Sequence, residues 1–145
     1  MTPEAMAALV DTADALYQAR LARLRTVLAE EGRLRRELAD LDGHRLRNAA
    51  LPAPDMAGLR AVGAEVLWQG WVGRMRADLN ARLARVLAQK EAQMDALREA
   101  FGRAEAARGL LEDARVAARK QAATRAARQV ENLVQMRAFR RGQMS

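Results

Sequence analysis

The chain has 145 residues, a formal net charge of +7 and no cysteine, so a disulfide framework and a thiolate metal site are both excluded. Half of its residues are hydrophobic, but only 3% are aromatic and 30% are charged. This helix-forming composition is typical of a coiled coil or a long helix rather than of a compact core. The sequence shows neither a signal peptide nor the roughly 20 apolar residues of a membrane-spanning helix, so we expect a cytoplasmic location.

The first predicted helix runs from about residue 3 to 48. It starts at Thr2-Pro3, where the hydroxyl can cap the helix and proline suits the first helical position. The apolar spacing of threes and fours predicts a coiled-coil seam, with breaks in phase around Arg20 and Glu31. The predicted seam residues of this helix are Leu9, Ala13, Leu16, Leu21, Leu24, Leu28, Leu34, Leu38 and Leu41.

A turn is predicted at about residues 49–55, where Pro52 and Pro54 bias the residues before them away from helical conformation. Asp55 can cap a second helix from about residue 56 to 140. Lys90 is the one polar interruption of the second seam, which is predicted to comprise Trp68, Val72, Met75, Leu79, Leu83, Val86, Met94, Leu97, Phe101 and Ala104. The sequence therefore predicts an all-α fold, a single antiparallel coiled-coil hairpin spanning residues 1–145.

The second helix is predicted to be the longer one and to protrude at its C-terminus. If the turn centres near Ala53, residue i faces about residue 106 minus i, so Leu9 meets Leu97. The first helix would then end opposite about Gly102, leaving about 37 residues, or roughly 55 Å, of the second helix unpaired. From Gly102 onward the chain holds ten lysines and arginines against four acidic residues. A basic segment of this kind can bind nucleic acid, an acidic membrane surface or an acidic protein channel, or can be a solvated helix without a partner.

Catalytic and cofactor chemistry is not indicated. The phosphate-binding loop pattern is absent, and the adjacent acidic residues at 30–31 and 112–113 point apart on a helix. His44 is the only histidine and is predicted to be a surface residue near the turn. We therefore expect no enzyme activity, no cofactor and no metal.

Both tryptophans lie in LWQGWV, residues 67–72. Trp68 shares the seam with Val72, so we predict that it packs in the core. Trp71 lies about 100° around the helix from Val72 and should be partly exposed. Two interpretations of Trp71 stay open: a docking residue for a partner, or a flank residue that covers the wide end of the hairpin.

This architecture resembles that of the FliJ/YscO stalk proteins of type III export systems, which are small cytoplasmic antiparallel coiled coils. LWQGWVGRM is similar to the aromatic-Gln-x-aromatic-apolar stretch near the start of that family's second helix. The Ala/Arg/Gln-rich ending with VENLVQMRAF is similar to the family's C-terminus.

The resemblance implies a non-enzymatic central stalk, peripheral to the membrane-embedded export apparatus of a flagellum or an injectisome. Its partners would be a hexameric export ATPase and the cytoplasmic domain of the export gate, with export chaperones as further candidates. Matched on LWQGWV, the gate contacts fall on Trp71, Met75 and Arg82. The ATPase ring would contact the C-terminal helix, to which we assign Arg119, Arg125, Arg128, Leu133 and Phe139.

The alternative function is that of a basic coiled-coil scaffold or nucleic-acid-binding protein. The arginines of the C-terminal segment are distributed around the helix and no aromatic residue interleaves them, so we expect no specific nucleic-acid site. We also expect no insertion into the membrane.

Overall fold

The computed structural model describes residues 2–49 and 58–144. The predicted proline turn lies almost entirely outside the described residues, as does the predicted Asp55 cap. The turn and its cap therefore stay predictions.

The described residues form two long helices, α1 (Pro3–Ala49, 47 residues) and α2 (Gly58–Gln143, 86 residues). The two helices pack against each other as an all-α helical hairpin, and no strand occurs in the described ranges. Thr2 caps α1 as predicted: the backbone N–H of Ala5 donates to Thr2 Oγ1 at 3.2 Å, and that of Met6 donates to the Thr2 carbonyl at 3.0 Å. Helix-forming residues and the Thr2 hydroxyl therefore define the N-terminal end of α1.

The chain divides into two compact units. Unit 1 comprises Met1–Gln18 and Glu99–Ser145, and unit 2 comprises Ala19–Arg98. Each unit contains a part of α1 and a part of α2. The prediction that the whole chain is a single domain stays a prediction.

Unit 2 is built around large aliphatic side chains. Leu34 is fully buried, and its cluster also contains Leu41, Val72, Leu79 and Val86. Five more apolar residues pack against this cluster while partly buried: Val27, Leu38, Trp68, Met75 and Leu83. Interlocking side chains of this size exclude water along the α1–α2 contact and supply the hydrophobic stabilisation of unit 2.

Glu31 and Lys90, two of the three polar residues that mark interruptions of the predicted seams, contact each other in unit 2. Lys90 Nζ donates to both carboxylate oxygens of Glu31, at 3.2 and 3.4 Å, and the Glu31 side chain is only 12% exposed. The hydrogen bond from Lys90 holds the pKa of Glu31 below its ordinary value, and a second one from Arg35 acts in the same direction. The predicted phase break at Glu31 is therefore wrong: the heptad pattern continues through it, and a charged residue occupies the seam position.

Unit 1 has a different seam, made largely of small side chains. Its buried residues are Met6 on α1 and Ala100, Ala104 and Ala107 on α2. Tyr17 stacks at a tilt on Phe101, with the ring centroids 5.8 Å apart. Asp14 forms an ion pair with Arg108 across the two helices. Alanines let two helix backbones approach closely, but they bury little apolar area.

Several predicted seam residues are exposed instead. Leu9, Leu16 and Phe101 in unit 1 lie beside the contact between the helices, and so does Leu28 in unit 2. The contact between the helices instead contains Tyr17, Val27 and Ala100. Each of these is the sequence neighbour of a predicted seam residue. The prediction failed because α1 carries leucines at flanking positions as well as on the seam, and spacing alone does not separate the two rows.

The predicted register is also wrong. Within unit 2, Glu31 pairs with Lys90, and Asp42 with Arg76 at 3.2 Å, so residue i faces about residue 120 minus i. Within unit 1, Asp14 pairs with Arg108. The observed pairing is shifted by about 14 residues, or two heptads, from the predicted one. A shift by whole heptads leaves the same seam residues facing inward, so apolar periodicity could not detect it.

The protruding part of α2 is shorter than predicted as a result. Leu111, Ala114 and Ala118 are still partly buried, and every described side chain from Arg119 to Met144 is exposed. The overhang thus comprises residues 119–143, about 38 Å of helix at 1.5 Å per residue.

Candidate partner-binding surfaces

The first candidate surface surrounds Trp71 on α2. Trp71 is 47% exposed, whereas Trp68 packs against the core cluster of unit 2. Leu67, Gly70 and Arg74 are exposed on the same side of the helix, since positions i, i+3, i+4 and i+7 lie on one face. We call these four residues, Leu67, Gly70, Trp71 and Arg74, the Trp71 face. The structure thus separates the two tryptophans in the way the sequence predicts.

The other two predicted gate-contact residues differ from each other in exposure. Met75 is partly buried and packs against the core cluster, so much of its side chain is unavailable to a partner. Arg82 is exposed and pairs with Asp78 at 2.9 Å. It lies 11 residues after Trp71, about three turns along nearly the same side of α2. The structure therefore aligns Trp71 and Arg82 on one side and sets Met75 between that side and the core.

Glycine near the Trp71 face is not required by this chain. A Cβ atom at Gly70, which belongs to the Trp71 face, would meet only the flexible Arg74 guanidinium, at an ordinary contact distance of 3.5 Å, and the φ of Gly70 is not positive. A glycine inside a helix costs up to about 1 kcal/mol relative to alanine. Close approach by another molecule is a physical reason for glycine at such a position, because the absent side chain exposes the helix backbone.

The second candidate surface is the overhang, residues 119–143. It contains seven lysines and arginines and one glutamate. The predicted ATPase-contact residues Arg119, Arg125, Arg128, Leu133 and Phe139 are all exposed, but they lie on more than one side of the helix. Arg119 pairs with Glu112 at 3.4 Å, while Arg125 Nε donates to the Gln121 carbonyl at 3.5 Å.

The overhang also carries apolar side chains in contact with solvent. Phe139, at 67% exposed, lines a shallow groove with Met136 and Arg140. Val130, Leu133 and Val134 are similarly exposed on the other sides of the helix. Met136 was not among the predicted contact residues, although its spacing of three from Phe139 was a signal for it. Exposed apolar side chains grouped near one end of a helix are a common feature of interaction sites.

The third candidate surface was missed by the sequence prediction. An apolar groove of about 350 Å³ lies along one side of the α1–α2 contact in unit 1. We call it the Leu9 groove; it is lined by Leu9, Thr12, Ala13, Leu16, Arg103, Ala106, Ala107 and Leu110. The sequence analysis places Leu9 and Leu16 in the seam, but both side chains lie beside it and form one wall of the groove. The seven-residue spacing between Leu9 and Leu16 could have indicated this groove, because residues seven apart in a coiled coil occupy equivalent positions and form a row parallel to the seam.

The titratable and apolar groups outside these surfaces were compared with the requirements of a metal site and of a membrane span. His44 Nδ1 accepts a hydrogen bond from Arg47 at 3.1 Å, as suits a surface residue. Within residues 2–49 and 58–144, no cluster of three histidine, aspartate or glutamate side chains could hold a metal ion. Over the same residues, neither helix is apolar enough for long enough to cross a membrane.

No protein-family model, curated protein or solved structure matches this chain. The assignment of the surfaces to particular partners therefore rests on the resemblance described in the sequence analysis and on the exposure of their residues.

Proposed function

We propose that this protein is the non-enzymatic central stalk of a type III protein export apparatus, flagellar or injectisome. In this role it couples a hexameric export ATPase to the export gate from the cytoplasmic side of the membrane. The helical hairpin and two exposed surfaces on α2 support the proposal. The ATPase ring would bind the overhang, and the cytoplasmic domain of the gate would bind the Trp71 face. Export chaperones are further candidate partners.

The single observation that carries the proposal is the exposure of the overhang. Residues 119–143 are helical, yet every described side chain among them faces solvent. A helix draws most of its stability from packing of an apolar face, and an isolated helix of this length is marginal in water. A partner that encloses the overhang would supply the missing contacts. The arrangement of its contact residues on several sides suits a ring that surrounds the helix better than a flat surface.

The ATPase contact is tested with the purified export ATPase. The double variant Leu133→Ala/Phe139→Ala should weaken binding to the hexamer by at least tenfold, corresponding to about 1.4 kcal/mol, and should reduce stimulation of ATP hydrolysis. Leu46→Ala removes a comparably exposed leucine in unit 2 and serves as the control. Equal binding by all three proteins in a titration would contradict the assignment of the overhang to the ring.

The gate contact is tested with the gate's cytoplasmic domain. Trp71→Ala should lower the affinity about thirtyfold, since an interface tryptophan commonly contributes about 2 kcal/mol or more. Gly70→Ala should raise the melting temperature through better helix propensity and still weaken gate binding, because the new methyl group blocks close approach to the Trp71 face. Gate binding by Gly70→Ala as tight as that of the parent would contradict the role given to this glycine.

The basic overhang favours one other candidate function, a coiled-coil scaffold that binds nucleic acid. Seven positive charges against one negative charge would attract phosphates without reading sequence. A salt titration separates the two functions. Phosphate binding should fall steeply between low and physiological salt, whereas a contact through Trp71 should persist. Nucleic-acid binding that falls steeply over this range, together with no salt-resistant binding to the gate domain, would favour the scaffold over the stalk.

A further inference from the structure

The apolar part of the seam in unit 2 would pack about as well if the two helices were shifted by one heptad. Residue i of α1 faces about residue 120 minus i of α2, so Leu34 lies opposite Val86. Leu41 lies opposite Leu79 in the same way. After a shift of seven residues, Leu34 would face Leu79 instead. Leu41 would then face Val72, so each leucine would again meet a large apolar side chain, and apolar packing does not select one register.

A charged pair within the same seam distinguishes these registers. The Lys90 ammonium donates to both carboxylate oxygens of Glu31, at 3.2 and 3.4 Å. A shift by one heptad in either direction would separate the two groups. Each charge would then lose the partner that compensates for its burial, which is unfavourable. The residues that face them after the two possible shifts are all leucines: Leu83 or Leu97 for Glu31, and Leu24 or Leu38 for Lys90.

The neighbouring ion pairs of unit 2 contribute less to the choice of register. Arg35 also pairs with Glu31, at 3.4 Å, but both residues belong to α1, so a shift between the helices leaves this contact unchanged. Asp42 and Arg76 pair across the helices, yet their side chains are 44% and 43% exposed. The side chains of Glu31 and Lys90 are only 12% and 29% exposed. Water screens an exposed pair, whereas a largely buried charge that loses its partner costs more free energy.

We propose that the Glu31–Lys90 pair is a register lock, which holds α1 and α2 of unit 2 in one pairing and excludes the pairings shifted by one heptad. A polar residue at a single seam position can specify register, at a cost in stability. The pair therefore contributes more to the uniqueness of the fold than to its free energy of unfolding. This inference does not rest on the export function, because it concerns only contacts within unit 2.

Spin labels measure the register directly, and the chain has no native cysteine to interfere with labelling. Ala22→Cys and Asn80→Cys place one label on each helix, at exposed positions of unit 2. In the observed register these positions are about 28 Å apart along the helix axis, and a shift by one heptad changes that separation by about 10 Å. Double electron-electron resonance, measured with excess unlabelled protein, should give a single main distance within the parent chain.

The most informative variant replaces both charges with leucine. Glu31→Leu/Lys90→Leu should remain folded and melt at or above the temperature of the parent, because apolar residues often replace a buried ion pair without loss of stability. Its distance distribution should contain a second population displaced by about 10 Å, since the shifted register now buries leucines at both positions. Asp95→Leu/Arg98→Leu removes an exposed ion pair of α2 and should keep the parent's single distance. An unchanged single distance in Glu31→Leu/Lys90→Leu, or an equal second population in the control, would overturn the proposal.

Exchange of the two charges tests whether they recognise each other across the seam. Lys90→Glu alone sets two carboxylates against each other and should lower the melting temperature at neutral pH. The double variant Glu31→Lys/Lys90→Glu restores an ion pair in the original register, so it should recover the parent's single distance and most of its melting temperature. A double variant that melts no higher than Lys90→Glu, or that shows the displaced distance, would contradict the register lock.

Discussion

The two units bury their helix contacts with different side chains. In unit 2 the buried cluster consists of leucines and valines around Leu34, and a tryptophan packs on its edge. In unit 1 three of the four buried residues are alanines, and the leucines of that region lie outside in the Leu9 groove. Apolar stabilisation scales with the area removed from water, about 25 cal/mol per Å². Unit 2 should therefore be the more stable unit, while unit 1 retains apolar surface for intermolecular contact.

The same difference continues along α2 alone. Its seam has large side chains up to Val86, alanines from Ala100 to Ala107, and only exposed residues from Arg119 onward. The first part of α2 therefore stabilises the fold through buried side chains, whereas its last part is exposed to solvent. Both parts are α-helical.

Leu34→Ala should produce the largest loss. Leu34 is the one large side chain that is fully buried among the described residues, so its truncation leaves a cavity and should lower the free energy of unfolding by about 3 kcal/mol. Leu28→Ala is the matched control on the same helix, and its exposed side chain should cost under about 1 kcal/mol. Urea unfolding of both variants measures the difference. Similar losses would show that the assignment of buried and flanking leucines is wrong.

Trp68→Ala should lower the free energy of unfolding by about 2 kcal/mol, because the ring packs on the unit 2 cluster while remaining partly exposed. Trp71→Ala should cost no more than about 0.5 kcal/mol, as expected for a surface position. Thermal melts of the two single variants test this pair. Equal destabilisation would make both tryptophans part of the core and would move the docking surface elsewhere.

Ala104→Leu tests whether the alanine seam of unit 1 is closely packed. Ala104 is almost completely buried, so the larger side chain should force the helices apart and cost about 1.5 kcal/mol. Ala122→Leu is the control, since this alanine is exposed on the overhang and leucine is also a good helix former. A gain in stability from Ala104→Leu would mean that unit 1 has room for a large core and that small side chains are not required there.

Glu31→Gln should flatten the acid dependence of stability. The pKa of Glu31 is lowered in the folded chain, so its ionised form stabilises the fold above the ordinary glutamate pKa of about 4.3. That contribution is lost as the pH falls through the lower, folded-state pKa. The drop in melting temperature between neutral pH and pH 3 should therefore be smaller in the variant. Glu91→Gln, at an exposed position of unit 2, should retain the parent's pH dependence.

Ending the chain after Ala118 should have the smallest effect on stability. The removed side chains are all exposed, so the free energy of unfolding of the monomer should change by less than about 0.5 kcal/mol. Ending the chain after Gly102 should instead destabilise unit 1, because Ala104 and Ala107 are lost from its seam. Chemical denaturation at concentrations where the full chain is monomeric compares the two. Loss of folding in the longer truncated chain would show that the overhang contributes to the fold.

Much of the fold could be predicted because it depends on local features. Helix-forming residues fill both helices, and Thr2-Pro3 begins α1 through a hydrogen bond that spans three residues. The contrast between Trp68 and Trp71 also follows from the 100° step between neighbouring residues of a helix. The Leu9 groove could not be predicted in the same way, since its walls come from two segments that are about 90 residues apart in sequence.

The helical class, the start of α1, the basic character of the overhang and the exposure of Trp71 all follow from the amino-acid sequence. The register and the choice between neighbouring rows of leucines depend on how the two helices pack together. The physical reason is that a heptad pattern repeats, so pairings that differ by whole heptads bury nearly the same side chains. Specific contacts such as Glu31 with Lys90 and Asp42 with Arg76 distinguish these pairings, and they form only when both helices are present. That register sets which part of α2 lies opposite the first residues of α1, and therefore where the overhang begins.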